Sequence, residues 1–311
     1  MNSKVKYILK DTAVGMGIGT AIIIPGISGG TIALIAGSFK KIVDAVDGLF
    51  SKLFWKNLLI LLPFGIGAVL AIAGLIFPIK LAFDHCMLAL TILFAAFMVG
   101  SVPSLYDSAL KKREKGEQKI NGGSIVGLIL GFLIVIGFGV LSICVNLDKQ
   151  VLNMFDQNPF YLYPILFGVG LISAMGLIVP GFSGSMLLMV LGFYDKILIV
   201  VLDTPKHPGL SLLRLAVFAL GVAIGFVFFS KLMKYMFEHH ERTTNCIVLG
   251  FLVGSIIAIF INSKMFNYFK EVGVTKLDII LSPIFAVIGL SISLAIYFYM
   301  RKHPEAKEEH A

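Results

Sequence analysis

Eight long apolar segments set what this chain can become. They fall at about 12–43, 57–78, 87–107, 122–147, 161–200, 211–233, 246–263 and 277–300. Each approaches or exceeds the roughly 20 residues that a helix needs to cross the hydrocarbon of a bilayer. The chain is 58% hydrophobic and 14% charged, with a mean hydropathy of +0.93. Those values exclude an ordinary soluble domain, and the fold class expected is an all-α polytopic membrane protein. No cleavable signal peptide is expected, since MNSKVKYILKDT is short and basic and lacks a small-residue cleavage site.

Two of the segments are broken near their middle, the first at Pro25 in IIIPGISGGTIALIAG and the second at Pro180 in LIVPGFSGSMLLMVLG. Proline removes a backbone donor and ends the helix before it, and Gly26 permits a turn that residues with a Cβ resist. Ser28 or Thr31, and Ser183 or Ser185, then stand where a new helix needs an N-cap. The following TIALIAG and MLLMVLG read as short helices. Each segment is therefore expected to be a re-entrant hairpin with a new helix N-terminus at membrane depth. Such a terminus exposes unpaired N–H groups and about half a positive charge, which together cradle anions. Irregular backbone is tolerated in lipid only where protein or a water-filled cavity surrounds it. The candidate anion contacts are Pro25, Gly26, Ser28, Gly29, Gly30 and Thr31, with Pro180, Gly181, Ser183, Gly184 and Ser185. The competing reading is a packing kink built of small residues.

The chain also repeats itself. IIIPGISGGTIALIAGSFKKI (22–42) matches LIVPGFSGSMLLMVLGFYDKI (177–197) at an offset of 155; KLAFDH (80–85) matches KYMFEH (234–239) and FMVGS (97–101) matches FLVGS (251–255), both at 154. This is read as an internal duplication, with repeat 1 over residues 1–156 and repeat 2 over 157–311. Each unit holds one broken segment and three spans. Three is odd, so the second unit enters the membrane inverted, an arrangement of secondary transporters. With both termini in the cytoplasm, 18 of the 26 Lys and Arg lie on the cytoplasmic side, including the run KKREK at 111–115, and 8 lie outside.

Other polar residues carry weaker signals. Arg214, near the start of a span, either binds an anionic group or snorkels to the interface. The duplicated pairs Asp84-His85 and Glu238-His239 either relay protons or pair with Lys80 and Lys234, and the competing reading is solvated ends of spans. Lys40, Lys41 and Lys196 follow the broken segments and either attract phosphate or set topology. Cys86, Cys144 and Cys246 are scattered and read as apolar packing residues. No His-x-x-x-His pair and no catalytic constellation stands beside the motifs, so no metal, no cofactor and no enzymatic activity are expected. The net charge of +8 fits positive-inside bias and attraction to anionic membrane lipids, not nucleic acid.

At the two motifs the chain resembles the bacterial and archaeal polyprenyl-phosphate translocases of the PopT type, a family long known only as a domain of unknown function. The resemblance rests on Pro25-Gly26-Ile27-Ser28-Gly29-Gly30-Thr31 with Ala33-Leu34, on Pro180-Gly181-Phe182-Ser183-Gly184-Ser185 with Leu188, Gly192, Phe193 and Tyr194, and on the two VGS blocks. It spans nearly the whole chain. It implies a polyprenyl phosphate partner, undecaprenyl phosphate, returned from the outer to the cytoplasmic leaflet of the bacterial plasma membrane for reuse in cell-wall synthesis. In the family pattern an acidic residue often precedes the first Pro-Gly; Thr20-Ala21-Ile22-Ile23-Ile24 carries none, so proton coupling has no acid at that place. The alternative function is a channel or exchanger for chloride or phosphate. Assembly into a homo-oligomer is left open.

Overall fold

The computed structural model describes residues 3–24, 29–48, 52–110, 122–178 and 184–302, and these contain helices and no strand. Helix α1 (Ser3–Ile23) leads across the first break to the short α2 (Gly29–Ile35) and to α3 (Phe39–Asp47). Then come α4 (Phe54–His85), α5 (Met87–Leu110), α6 (Gly122–Cys144) and α7 (Leu147–Gln157). The same order begins again. Helices α8 (Leu162–Ser173) and α9 (Met175–Ile178) lead to the second break, and α10 (Gly184–Val190) and α11 (Tyr194–Asp203) leave it. Helix α12 (Pro208–Ala258) is followed by α13 (Ser263–Glu271) and α14 (Lys276–Lys302).

The helix ends have local causes. The turns after α2 and α10 need a left-handed residue, supplied by Gly37 (φ 63°) and Gly192 (φ 76°). Beyond each, an N–H reaches back into the helix, Ser38 to Ala33 O (2.9 Å) and Phe193 to Leu188 O (2.8 Å). That closes the orphan carbonyls of both helices in the same way. Pro208 occupies the first turn of α12, where its missing donor costs nothing. The joint between α4 and α5 is Cys86 (φ −148°, ψ 56°), and α12 kinks at His240 (φ −141°, ψ 41°), 154 residues on.

Among the described residues, six helical stretches are long and apolar enough to cross a membrane: Phe54–His85, Met87–Asp107, Gly122–Cys144, Pro208–Met233, Tyr235–Glu271 and Lys276–Lys302. They coincide with the six unbroken apolar segments, and the chain is a multi-pass membrane protein. Met87–Asp107 and Tyr235–Glu271 are the central pair, 56% and 61% buried against 11–28% for the others. The outer faces of α4, α6 and α14 carry exposed Leu, Ile, Val and Phe, as lipid contact requires.

Glycine sets how closely these helices approach, the usual device where lipid gives no hydrophobic drive between helices. Helix α1 crosses α4 so closely that a Cβ on Gly15 would lie 2.2 Å from Phe64 O, and one on Gly67 2.0 Å from Thr12 O. Helix α8 crosses the first half of α12 likewise, Gly170 against Phe218 O (2.3 Å) and Gly221 against Phe167 O (2.1 Å). All four positions recur at the offsets of 155 and 154. Helix α6 packs along the second half of α12, Gly131 against Ile247 O (2.4 Å). Helix α14 packs along α5, Gly100 against Ser293 Cβ (2.5 Å).

Candidate functional site

Pro25, Gly26, Ser28, Pro180, Gly181 and Ser183 lie outside the described residues, so the site is built from what flanks them. Gly29 and Gly30 open α2, and Gly184 and Ser185 open α10. Thr31 falls inside the first turn of α2 rather than before it. Of the cap alternatives, Ser28 and Ser183 are the residues that immediately precede the helices. Each short helix packs on the one before its break, α2 on α1 and α10 on α8. The second return is tight, since a Cβ on Gly184 would lie 2.4 Å from Ser173 O. Ser185 is buried.

The helices that flank the two breaks, distant in sequence, are neighbours in space. Helix α1 touches α10, and α2 touches α9. Tyr194, the first residue of α11, donates its hydroxyl to Ile23 O at the end of α1 (2.8 Å). That carbonyl is one of the four that a helix end leaves without an internal partner. The Tyr194 ring packs against Phe83 and Phe94 at 5.7 and 6.4 Å between centroids. Burial and the Asp195 charge push the Tyr194 phenol far above its ordinary range, which keeps it a donor.

Beside Tyr194 lies a charged cluster. Asp195 Oδ2 accepts Lys264 (3.1 Å) from α13 and Lys196 (3.2 Å) from its own helix. The side chains are only 15%, 19% and 12% exposed. Burial alone would raise the Asp195 carboxyl, but Lys264 and then Lys196 outweigh it and hold it below the usual carboxylate range. Lys264 also sits 4.1 Å above the Phe83 ring, a cation–π contact. Two ammoniums thus share one carboxylate. Asp148, at the start of α7, has a buried Oδ1 without a hydrogen-bond partner among the described residues, and its N–H donates to Ser263 Oγ (3.3 Å). In the first half, Lys41, which matches Lys196, pairs with the buried Asp11 of α1 (2.5 Å). Neither lysine is the unattached charge that its place after a break suggests.

Arg214 has partners within the protein. Its guanidinium donates to Phe155 O (2.6 Å) and Asn158 Oδ1 (3.0 Å) and lies 5.1 Å from the Phe155 ring centre. It therefore ties the end of α7 to α12, and the last carbonyls of a helix favour such a cation. With Lys196, His207, Asp156 and Asp203 it also borders a cavity of about 150 Å³. The acid–His pairs lie at span ends. Asp84 reaches Lys80 at 3.7 Å, and both are half exposed. His85 Nδ1 donates to Leu81 O and His239 Nδ1 to Tyr235 O, each at 3.0 Å. Glu238 is exposed on the same turn as His239. Asp84, His85, Glu238 and His239 are all exposed. Cys86 and Cys246 are buried and Cys144 faces outward, so only the first two pack as expected.

Sequence reasoning missed Tyr194 as a bridge, Lys264 and the buried Asp278. The last accepts Ala89 N (3.0 Å), Thr275 N (3.0 Å) and Thr275 Oγ1 (2.8 Å), with Tyr268 OH closing the set. Its four donors make it a staple between α14 and α5. The matched position in the other half is Ser124, which shares a hydrogen bond with Thr243 (3.3 Å).

A family described as undecaprenyl phosphate translocase-like matches residues 16–275, which include both breaks. A polyprenyl-phosphate transporter of Staphylococcus aureus is 29% identical over 248 residues, covering 79% of this chain and 84% of its own. A polyprenyl-phosphate transporter of Vibrio cholerae is 26% identical over 257 residues, 78% of this chain and 74% of its own. No solved structure matches the chain.

Proposed function

Since this chain belongs to the undecaprenyl phosphate translocase-like family, we propose that it moves polyprenyl phosphate, of the undecaprenyl class, from the outer to the cytoplasmic leaflet of the bacterial plasma membrane. It is a membrane transporter and not an enzyme, as the names of its relatives have it. The step returns carrier lipid to cell-wall synthesis. Even one charge at the bilayer centre costs several kcal/mol, so the phosphate needs substitutes for its lost water. The breaks supply them: backbone N–H groups at Gly29, Gly30, Gly184 and Ser185, with hydroxyls at Ser28, Thr31, Ser183 and Ser185 and close approach at Pro25-Gly26 and Pro180-Gly181. Lys264 and Lys196 add counter-charge beside them. The tail needs no such help and stays in apolar surroundings.

In this reading residues 1–156 and 157–311 are two inverted units, each with a re-entrant broken helix, and both termini are cytoplasmic. The recurrence of helix joints and glycine crossings at 154 and 155 residues supports it. The observation that carries the function is the meeting of the two breaks, where Tyr194 of one segment holds the helix end of the other (2.8 Å). One head-group site reachable from either leaflet needs that juxtaposition.

The test is head-group accessibility in proteoliposomes that contain polyprenyl phosphate and receive a membrane-impermeant phosphatase outside. Hydrolysis passes the outer-leaflet half with wild type and stops there with Ser28→Ala/Ser183→Ala. Wild-type hydrolysis that stops at half, in vesicles that pass chloride or inorganic phosphate, replaces the lipid reading with a small-anion channel.

A further inference from the structure

Beside the second break, α9 and the two halves of α12 around its His240 kink enclose a cavity of about 170 Å³. Its walls include Met175, Phe229, Met233, Met236, Val248 and Phe251. Thr244 brings the one hydroxyl, and that group is engaged internally with Met236 O (3.1 Å) and His240 O (2.9 Å). A cavity of this size with apolar walls stays dry and accepts an apolar guest; about 150 Å³ suffices for benzene. Water gains nothing there, because it finds no partners for its hydrogen bonds.

The two halves of the molecule differ at this place. Val248 matches residue 94 at the offset of 154, and that residue is Phe94, only 1% exposed and packed between Phe83 and Tyr194. Met233 matches Ile79, also buried. In the first half a ring stands where the second half has only a valine and flexible methionines. Methionine has three rotatable bonds and a polarisable sulfur, which suits a wall that must adapt to a guest. Leu232 lines the cavity and is 38% exposed, beside Phe228 at 56%, so the way in runs from the lipid-facing surface. Met175 opens α9, which ends at Ile178 immediately before the break.

We infer that this cavity receives an isoprene unit of the substrate chain near its phosphate end while the head group is at the breaks. The inference rests on the polyprenyl phosphate reading above. It makes the second half the side that grips the lipid, with the first half closed at the matching place by Phe94.

The test uses a polyprenyl phosphate with a benzophenone on the chain near the phosphate, photolysed in proteoliposomes of the full chain, with adducts located by peptide mass spectrometry. Adducts are expected on Met175, Met233 or Met236, reduced by excess unlabelled polyprenyl phosphate but not by phosphatidylglycerol. Val248→Phe, which installs the residue of the matching position, is expected to lower them roughly tenfold by excluding a few methylene contacts. Its melting temperature in detergent, equal to or above that of wild type, shows that it folds. Adducts elsewhere, adducts unchanged by Val248→Phe in a folded variant, or competition by phosphatidylglycerol overturns the inference. The phosphatase assay on the same vesicles separates the two proposals. Hydrolysis past half without these adducts removes the cavity and leaves translocation standing. The adducts with hydrolysis stopped at half remove translocation and leave a lipid-chain site.

Discussion

Tyr194 and Ile23 are 171 residues apart, yet one hydrogen bond between them joins the two breaks. Tyr194→Phe keeps the ring and its packing on Phe83 and Phe94 and removes the donor that the buried Ile23 carbonyl has among the described residues. An orphaned buried acceptor costs about 1–3 kcal/mol. A lower melting temperature in detergent is therefore expected, together with slower translocation in the phosphatase assay. A variant as stable and as active as wild type would mean that the bridge is incidental. Asp195 carries a pH signature. Its folded carboxyl lies below the ordinary value of 3.8, so its contribution is fully present above that value and is lost as pH falls through the lower, folded one. The stability gap between wild type and Asp195→Asn is accordingly widest near neutral pH and closes below 3.8. A gap that does not change with pH would show that the two lysines do not depend on this charge. Neither contact was legible in the sequence. The residues were visible there, but side-chain partners on different helices follow from tertiary packing. Arg214 makes the same point: its place near a span start shows a cation, not the Phe155 carbonyl that it holds.

At the scale of helices the sequence was far more informative, because the causes are local. Pro-Gly inside an apolar segment stands just beyond a helix end at Ile23 and at Ile178, whereas Pro208-Gly209 opens α12, and unbroken apolar runs become spans. Both breaks, the short helices after them and the six spans follow from those two rules. The glycine crossings were less legible, since a glycine in a membrane helix is common and only the neighbour reveals its use. Gly168 and Gly170 stand two residues apart in α8. A Cβ on Gly168 meets nothing within 4 Å, whereas one on Gly170 would lie 2.3 Å from Phe218 O. Gly170→Ala forces α8 away from α12, an overpacking that costs about 1–3 kcal/mol, and Gly168→Ala does not. The pair, measured by thermal unfolding in detergent, distinguishes a close crossing from a general demand for glycine. Equal losses would mean that helix flexibility, not approach, is what these residues provide.

The whole molecule interleaves its halves. The last span of the first half, α6, lies on the second half of α12, and the last span of the second half, α14, lies on α5. Asp278 and Ser124, at matched positions near the starts of these two helices, fasten each to the other half through Ala89 and Thr243. An exchange of this kind brings the central pair, α5 and the second half of α12, together. It also explains why the halves share one core rather than forming two domains. If the second half enters the membrane inverted, Asp84 and Glu238 face opposite compartments although they are matched residues. Cysteine at each position, in a variant with Cys86, Cys144 and Cys246 replaced by alanine or serine, makes this measurable in intact cells. Asp84→Cys should react with an impermeant maleimide from outside, and Glu238→Cys only after permeabilisation. Both positions are exposed, so an absent reaction reports the membrane and not burial. Reaction of both from the same side would mean that the second broken segment crosses the membrane instead of returning to its own side. The inverted arrangement, and with it a single head-group site shared by two opposed breaks, would then have to be abandoned.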